Sequence, residues 1–230
     1  MKVTGRVPSK PDARTLRMSQ IRSRLPQPPA HYAAAKVPSW PVLGNDKEPC
    51  CTCAAAAHMI HNWTAAHCDP VLVSEQQVLA TFAVVSGGDP SGAAMLEVLK
   101  FWRRSGIGER KLHAYVALDP HGKTDLQATI YLFGAAYIGL SFPDFAVKDA
   151  IRDAERDERK GTSGPYKEWT LPAGGATGAN APKASNGHCV AAIGYDADRI
   201  YFVSCGALRT MSWEFYRAYN DEAYAVLSEE

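Results

Sequence analysis

Three cysteines stand close together in the stretch EPCCTCAAAAHM, residues 48–59, directly ahead of a run of alanines. They are Cys50, Cys51 and Cys53. Thiols at this spacing can bind a metal, pack as small buried side chains, or include one nucleophile. Each of these three roles requires different residues elsewhere in the chain, so the sequence can be used to compare them.

A metal site is the first possibility. The candidate zinc ligands between residues 50 and 68 are Cys50, Cys51, Cys53, His58, His61, His67 and Cys68. However, the second ligand pair of a structural zinc site is absent, and a helix from residue 52 onward would spread these side chains around its circumference. The sequence therefore favours neither a metal nor any other cofactor.

Packing is the second possibility, because free cysteine is among the most buried side chains. This interpretation suits Cys53, Cys68, Cys189 and Cys205 best, and a disulfide between Cys189 and Cys205 on paired strands stays open. Five histidines are assigned to packing or solvent: His58, His61, His67, His113 and His121.

Nucleophilic catalysis is the third possibility and needs a thiol at a helix start with a histidine from another element. Cys51 immediately precedes a helix predicted over Thr52–Ala66, where unpaired backbone N–H groups and the helix dipole favour a thiolate. His188 begins an apolar strand, and its distance from Cys51 along the chain falls in the range of about 130–150 residues known for one class of cysteine enzymes. This pair is the most specific signal in the sequence.

The elements that must position these residues divide the chain into a helical half and a β-rich half. Apolar periodicity and capping residues predict helices at 52–66, from Ser74 onward, at 91–106, from Thr124 to Phe133, at 144–160 and at 211–219. Strands are predicted at 112–118, 135–142, 188–196, 199–206 and 222–227. A Gly/Pro-rich loop at 161–187 is predicted to form, with Trp169, a movable wall of a cleft.

The domain organisation is read from composition. Seven prolines make residues 1–43 an extended leader, and residues 44–230 are predicted to form one domain with a helical lobe at 44–110 and a β-rich lobe at 111–230. Residues 1–25 carry seven basic residues against Asp12. A solvated arm is favoured over a nucleic-acid contact, and a tail that embraces the domain is favoured over a segment that blocks the cleft.

Three segments, in the right order, resemble the papain-like cysteine peptidase superfamily and in particular its compact bacterial members. NDKEPCCTCAA is similar to the family segment that carries the nucleophile and opens the long helix. NGHCVAAIGYD (186–196) is closely similar to the family strand that carries the histidine, and YFVSCGALRTMSW (201–213) resembles the later strand and turn. The resemblance implies an α+β, papain-like two-lobe fold and a thiol hydrolase that acts on peptide or protein substrates.

The resemblance also implies roles for single residues. Cys51 takes the position of the nucleophile, His188 that of its acid/base partner, and Asn45 that of the amide that holds the oxyanion; Cys53 is the competing nucleophile. Val203 stands where the family has its orienting asparagine, so another group, such as Ser204, a water or a loop residue, must orient the imidazole. This departure favours an alternative, a catalytically silent binding or structural protein on the same scaffold.

Composition limits the remaining function classes. A net charge of +1, 46% hydrophobic and 21% charged residues are typical of a globular protein and give no reason to expect binding to nucleic acid or a membrane, the basic arm excepted. Six cysteines in 230 residues do not make a disulfide scaffold, and no signal peptide is recognisable. We therefore expect a cytoplasmic protein, or one exported without a cleavable signal. The oligomeric state and the substrate are not predicted.

Overall fold

A computed structural model describes residues 4–33, 37–67, 70–160 and 164–229. Its centre is an antiparallel sheet of six strands: β3 (Leu112–Ala117), β4 (Ala136–Ser141), β5 (Gly187–Tyr195), β6 (Arg199–Ser204), β7 (Ala207–Ser212) and β8 (Asn220–Ser228). The strand order across this sheet is β3-β8-β4-β5-β6-β7. Two short strands, β1 (Arg6–Val7) and β2 (Ala93–Ala94), form a separate parallel pair.

Helices cover both faces of the large sheet. They are α1 (Cys51–Ala66), α2 (Glu75–Val85), α3 (Met95–Ser105), α4 (Lys123–Phe133), α5 (Asp144–Lys160) and α6 (Trp213–Tyr219). Helices α1, α2 and α3 come first in the chain, and all six strands of the large sheet come after α3. The α+β architecture predicted from the sequence is confirmed.

Strand β5 shows how the sheet separates two apolar cores. Cys189, Ala191 and Ile193 belong to the core that contains α1, α2 and α3, whereas Val190 and Ala192 belong to the core that contains α4 and α6. All residues of β5 are buried because both faces of the sheet are covered. The strand that carries His188 is therefore held rigidly from two sides.

Helix α1 crosses the first core and begins at Cys51, one residue earlier than predicted. It is buried around most of its circumference, and the small side chains of residues 54–57 let β5 approach closely. The Tyr137 hydroxyl donates to the Thr52 carbonyl at 2.7 Å, and Trp63 Nε1 donates to the Phe133 carbonyl at 2.6 Å. The first bond fixes the start of α1 relative to the sheet, and the second fixes its last turn relative to the end of α4.

The capping box predicted for α2 is confirmed. Gln77 N donates to Ser74 Oγ at 3.2 Å, and Ser74 N donates to Gln77 Oε1 at 2.9 Å. The cap predicted for α4 is wrong: that helix begins at Lys123 after Gly122, and no side chain caps it.

Two helices begin later than predicted because the residues before them form hydrogen bonds in a strand. Helix α3 begins at Met95, since Ala93 and Ala94 are extended and pair with β1. The sequence predicts helix at residues 211 and 212, but these residues end strand β7, an element that the sequence pattern does not reveal. Ser212 then caps α6 by accepting from Phe215 N at 3.1 Å.

The described part of residues 1–43 lies along the domain and contributes to it. Met18 is buried in the core that contains α4, and Tyr32 exchanges two backbone hydrogen bonds with Tyr195 at 2.9 and 3.0 Å. Ser9 Oγ accepts from Leu96 N at 3.1 Å and so serves the first turn of α3. Within the described ranges, none of the helices is both long enough and apolar enough to cross a membrane.

Candidate active site

Cys51 is the first residue of α1, and its thiol faces strand β5. The backbone N–H groups of Cys189 and Thr52 are near enough to the thiol to lower its pKa, and Cys189 directly follows His188 in the strand. The residue is 1% exposed. The helix start and the start of β5 thus bring the predicted nucleophile beside the segment that carries the predicted histidine.

Burial controls the ionisation of this thiol. Loss of solvent raises the pKa of Cys51 to about 12, although the two N–H groups and the nearby Arg6 guanidinium act in the opposite direction. Cys205 adds to the upward shift of the pKa. In the described conformation Cys51 is therefore a protonated thiol, and a thiolate requires a change in its surroundings.

Cys53 has a different environment, although it lies in the same turn of α1. Burial raises its pKa well above the usual range, and the groups that act on it are Cys50, Thr52 and Cys51, all in its own segment. Cys51 instead senses Cys189, Arg6 and Cys205 from three other segments. Cys53 acts on Tyr137 of β4, whereas Cys51 is the candidate nucleophile on which Cys189, the neighbour of His188, acts.

His188 is the second residue of β5, and its ring is buried. Nε2 lies 2.8 Å from Ser204 Oγ at the end of β6. The ring also packs against Phe142, with centroids 5.1 Å apart. Ser204, one of the alternatives left open by the sequence, thus contacts the imidazole, while its neighbour Val203 is buried in the core.

Trp169, predicted to be part of a movable wall of the cleft, lies beside the site, with its ring centroid 6.5 Å from that of His188. Its side chain is buried and packs against Phe142 and Phe202 at centroid distances of 4.8 and 4.6 Å. Its backbone exchanges hydrogen bonds with Thr210 and Ser212 of β7 at 3.0 and 2.9 Å. This part of the loop pairs with β7 at the edge of the sheet, which the sequence alone does not indicate. Residues 161–163 of the loop lie outside the described ranges.

Asn45 is buried in the turn that precedes α1, six residues before Cys51. Its Nδ2 donates to Cys205 Sγ at 3.6 Å, and its Oδ1 has no hydrogen-bond partner within the described part of the chain. Left-handed backbone at Leu43 and Gly44, with φ of 61° and 76°, shapes the turn. Within the site, the contact of the Asn45 amide is therefore with Cys205.

Cys205 occupies the two-residue turn between β6 and β7, not a strand as predicted. Its φ is 49° and that of Gly206 is 71°. Its thiol accepts from Asn45 and also from Ser204, at 3.7 Å. Burial raises the pKa of Cys205, and these two donors act against the shift. No signal in the sequence indicates that this thiol lies near Cys51.

The other predicted alternatives for the thiols can be compared with the structure. The described cysteines are all free, so the disulfide left open between Cys189 and Cys205 is not formed, and Cys68 lies outside the described residues. His58 Nε2 contacts the Pro41 carbonyl and His61 Nε2 accepts from Val73 N, both at 2.8 Å. The described residues contain no group of three or more ligands placed to hold a metal ion.

Residues 5–7 of the leader cover the site. Gly5 N donates to the Gly187 carbonyl and the Gly5 carbonyl accepts from Ala93 N, both at 2.9 Å. A Cβ built on Gly5 would lie 2.1 Å from the carbonyl oxygen of Pro49, and one built on Gly187 would lie 2.0 Å from that of Arg6. The strand thus runs between the segment that precedes Cys51 and the segment that precedes His188.

This cover differs from the sequence prediction. The sequence favours a tail that stays clear of the cleft and a solvated arm of which Arg6 is part, but Arg6 is 3% exposed. The basic residues of this proline-rich segment look alike in sequence. Among those that the structure describes, Arg22 also pairs with a distant carboxylate, Asp125, but Arg22 is exposed, whereas Arg6 is buried.

Comparison with solved structures shows what the whole arrangement is similar to. Xylellain, a cysteine protease from Xylella fastidiosa, aligns with a TM-score of 0.66 at 13% identity over 98% of this chain and 96% of that chain. A procathepsin B from Trypanosoma congolense aligns with a TM-score of 0.61 at 13% identity over 99% of this chain and 86% of that chain.

A cysteine protease from Carica candamarcensis, solved in complex with E-64, aligns with a TM-score of 0.59 at 13% identity, over 86% of this chain and 98% of that chain. Neither a protein-family model nor a curated protein sequence matches the chain. Identities this low concern architecture alone. The chain has a papain-like fold.

Proposed function

We propose that this protein is a papain-like cysteine hydrolase that cleaves peptide or amide bonds through an acyl-enzyme on Cys51, with His188 as acid/base partner. The observation that carries the proposal is the junction of α1 with β5. There the backbone N–H of Cys189 acts on the Cys51 thiol and lowers its pKa, and the preceding residue, His188, has its Nε2 2.8 Å from Ser204 Oγ. A thiol at a helix start, close to an oriented histidine, is the arrangement that nucleophilic catalysis needs.

The hydrogen bonds suggest which imidazole nitrogen acts as the base. If the Ser204 hydroxyl donates to Cys205 Sγ at 3.7 Å, its oxygen accepts from His188 Nε2–H. In that tautomer the basic nitrogen is Nδ1. Cys51 would give its proton to Nδ1, attack the carbonyl carbon and form a tetrahedral intermediate.

The remaining steps use the same groups. The imidazolium protonates the leaving amine as the C–N bond breaks, and the acyl group stays on Cys51 as a thioester. His188 then takes a proton from water, and the resulting hydroxide attacks the thioester carbonyl. The C–S bond breaks to release the carboxylic acid, and the imidazolium returns its proton to the Cys51 thiolate. The Cys51 backbone N–H and the Asn45 amide are the proposed oxyanion donors, and a donor of this kind typically contributes about 3–4 kcal/mol. Asn45 must exchange its contact with Cys205 for this role.

Labelling of the thiol tests the proposal. A peptidyl epoxide should modify Cys51 with 1:1 stoichiometry once residues 5–7 are displaced, for example in Gly5→Ala, and mass spectrometry of the digest locates the adduct. His188→Ala in the same background should abolish labelling, whereas Cys53→Ala should leave it unchanged. A folded Gly5→Ala protein in which Cys51 reacts faster with iodoacetamide but takes up no peptidyl epoxide would refute the assignment.

A catalytically silent binding protein is the second candidate, and the cover favours it. Cys51 is 1% exposed and its pKa is raised to about 12, so in the described conformation the site can neither admit a substrate nor ionise at neutral pH. If displacement of the cover leaves Cys51 unreactive while the cleft still binds peptides, this second function is correct.

A further inference from the structure

A buried tyrosine on β4 bonds to the first turn of α1, one residue after the candidate nucleophile. The Tyr137 hydroxyl donates to the Thr52 carbonyl at 2.7 Å, and the tyrosine is 0% exposed. Burial raises the pKa of Tyr137 well above its usual value, so the hydroxyl keeps its proton and remains a donor at neutral and mildly alkaline pH. The bond joins the helix that carries Cys51 to the sheet that carries His188.

The neighbours of Tyr137 in the sheet leave room for its ring to reach α1. Tyr137 lies opposite Ala191 of β5, and the next pair on the same face is Gly139 with Cys189. Tyr137, Ala191 and Cys189 all belong to the core that contains α1. The residues beside the phenol on this face of the sheet are therefore small, and the first turn of α1 lies within reach of the hydroxyl.

The Tyr137 hydroxyl lies among the thiols of the site. Besides burial, Cys189, Cys53 and Cys51 all act on the pKa of Tyr137. Burial raises the pKa of Cys189, Cys51 adds to this shift, and the Tyr137 hydroxyl acts against it. Cys189 directly follows His188 in β5. One hydroxyl thus bonds to the start of α1 and lies beside the start of β5, the two segments whose separation decides whether thiol and imidazole meet.

A second buried tyrosine shows what the hydroxyl of Tyr137 adds. Tyr216 of α6 is also 0% exposed and lies in the core on the other face of the sheet, and its hydroxyl has no hydrogen-bond partner within the described part of the chain. The ring alone can therefore fill an apolar core in this protein. The Thr52 carbonyl lies inside α1, where the helix already supplies a donor, so loss of the Tyr137 hydroxyl leaves no carbonyl without a partner.

We propose that Tyr137 is a positioning residue of the candidate active site, whose hydroxyl holds the first turn of α1 where the Cys51 thiol and the His188 imidazole can form an ion pair. Tyr137 acts through Thr52 and does not touch the reacting atoms. It lies outside the three segments that resemble the superfamily. This role rests on the proposed function, which supplies the ion pair.

The pH dependence of alkylation tests the proposal. The rate of iodoacetamide labelling at Cys51 is measured between pH 5 and pH 10 in full-length Gly5→Ala protein, with and without Tyr137→Phe. We expect the midpoint of the profile to rise by about one pH unit in the Tyr137→Phe protein, because a displaced thiol pairs less well with the imidazole. Labelling on the acidic limb should then fall about tenfold, with a change of less than about twofold at pH 10.

Tyr216→Phe is the matched control. It removes the same atom from an equally buried tyrosine on the other face of the sheet and should leave the midpoint unchanged. A folded Tyr137→Phe protein with an unshifted midpoint, or with labelling that falls by the same factor at every pH, would overturn the proposal and leave the bond as a structural anchor. Tyr137→Met, which fills the space with a flexible apolar side chain, replaces Tyr137→Phe if the latter does not fold.

Failure of this proposal and failure of the proposed function give different results. If only the positioning role is wrong, Gly5→Ala protein has a midpoint well below pH 8 that His188→Ala returns toward 9, and Tyr137→Phe leaves it in place. If the protein is a silent scaffold, the midpoint already stands near 9 in Gly5→Ala protein, neither His188→Ala nor Tyr137→Phe moves it, and both proposals fall.

Discussion

Substitution of Gly5 by alanine is expected to expose the candidate nucleophile. The new Cβ would lie 2.1 Å from the Pro49 carbonyl oxygen, far inside the 3.4 Å at which ordinary contact begins. One of the two backbones must move. Pro49 is joined to the buried start of α1, whereas β1 is a two-residue strand paired with another two-residue strand. We therefore expect β1 to leave.

The interactions of β1 set the size of the effect. Gly5 makes two backbone hydrogen bonds, each worth about 0.5–1.5 kcal/mol, and Arg6 adds charged bonds that are partly regained in water. A total of about 3 kcal/mol for closing the strand over the site means that Cys51 in the wild type is accessible about 1% of the time. Gly5→Ala should remove this protection and speed alkylation of Cys51 by up to about a hundredfold.

The assay is the rate of iodoacetamide labelling at Cys51, followed by peptide mass spectrometry, with circular dichroism as the test of folding. Gly187→Ala approaches the same contact from the other side, since its Cβ would lie 2.0 Å from the Arg6 carbonyl oxygen and its φ of −62° suits alanine. Gly174→Ala is the control, because its nearest atom is 3.8 Å away. Wild-type labelling rates in folded Gly5→Ala protein would refute the idea that β1 covers the thiol.

Three further outcomes are expected from other contacts. Burial lowers the pKa of His58 and His61 from 6.5 to about 4, so the unfolded chain binds protons that the folded chain excludes. The free energy of unfolding should therefore fall as the pH drops below about 6.5, by about 2 kcal/mol per histidine at pH 5. Urea unfolding should show a weaker pH dependence in the double variant His58→Gln/His61→Gln than in the wild type. Cys205→Gly should raise the free energy of unfolding by about 1 kcal/mol in thermal or urea melts, because φ is 49° there, and no gain would mean that the thiol contacts outweigh the strain. In a Gly5→Ala background, Ser204→Ala should lower the alkylation rate of Cys51 at pH 7 several-fold with little change at pH 10, and an equal loss at both pH values would argue against a role through His188.

The start of α1 and the histidine strand could be predicted because their signals are local. Alanines at 54–57 favour helix, and the apolar run after His188 is typical of a strand buried on both faces. The resemblance to a known superfamily then placed the two elements relative to each other. The capping box at Ser74 was predictable for the same reason, since all of its partners lie within one turn.

The environment of the site could not be predicted, because it depends on pairing between distant segments. Gly5 and Gly187 are far apart in the chain but share a hydrogen bond, and Arg6 meets Asp221 across the whole sequence. The position of Cys205 depends on a turn in which a cysteine takes a left-handed conformation that glycine, asparagine or aspartate would normally fill. Neither kind of information is contained in periodicity or composition.

The accessibility of the Cys51 thiol and its pKa consequently change together. Covering the thiol raises its pKa from the usual 9.0 to about 12, and each unit changes the thiolate fraction tenfold. Displacement of β1 would return solvent to the thiol and increase the thiolate fraction at pH 7 before His188 contributes at all. Slow reaction of the wild-type protein, through the small open fraction, is therefore expected for an active hydrolase and for a silent scaffold alike. The two differ only when β1 is displaced, because an imidazole partner then brings the alkylation midpoint well below pH 8 and His188→Ala returns it toward 9.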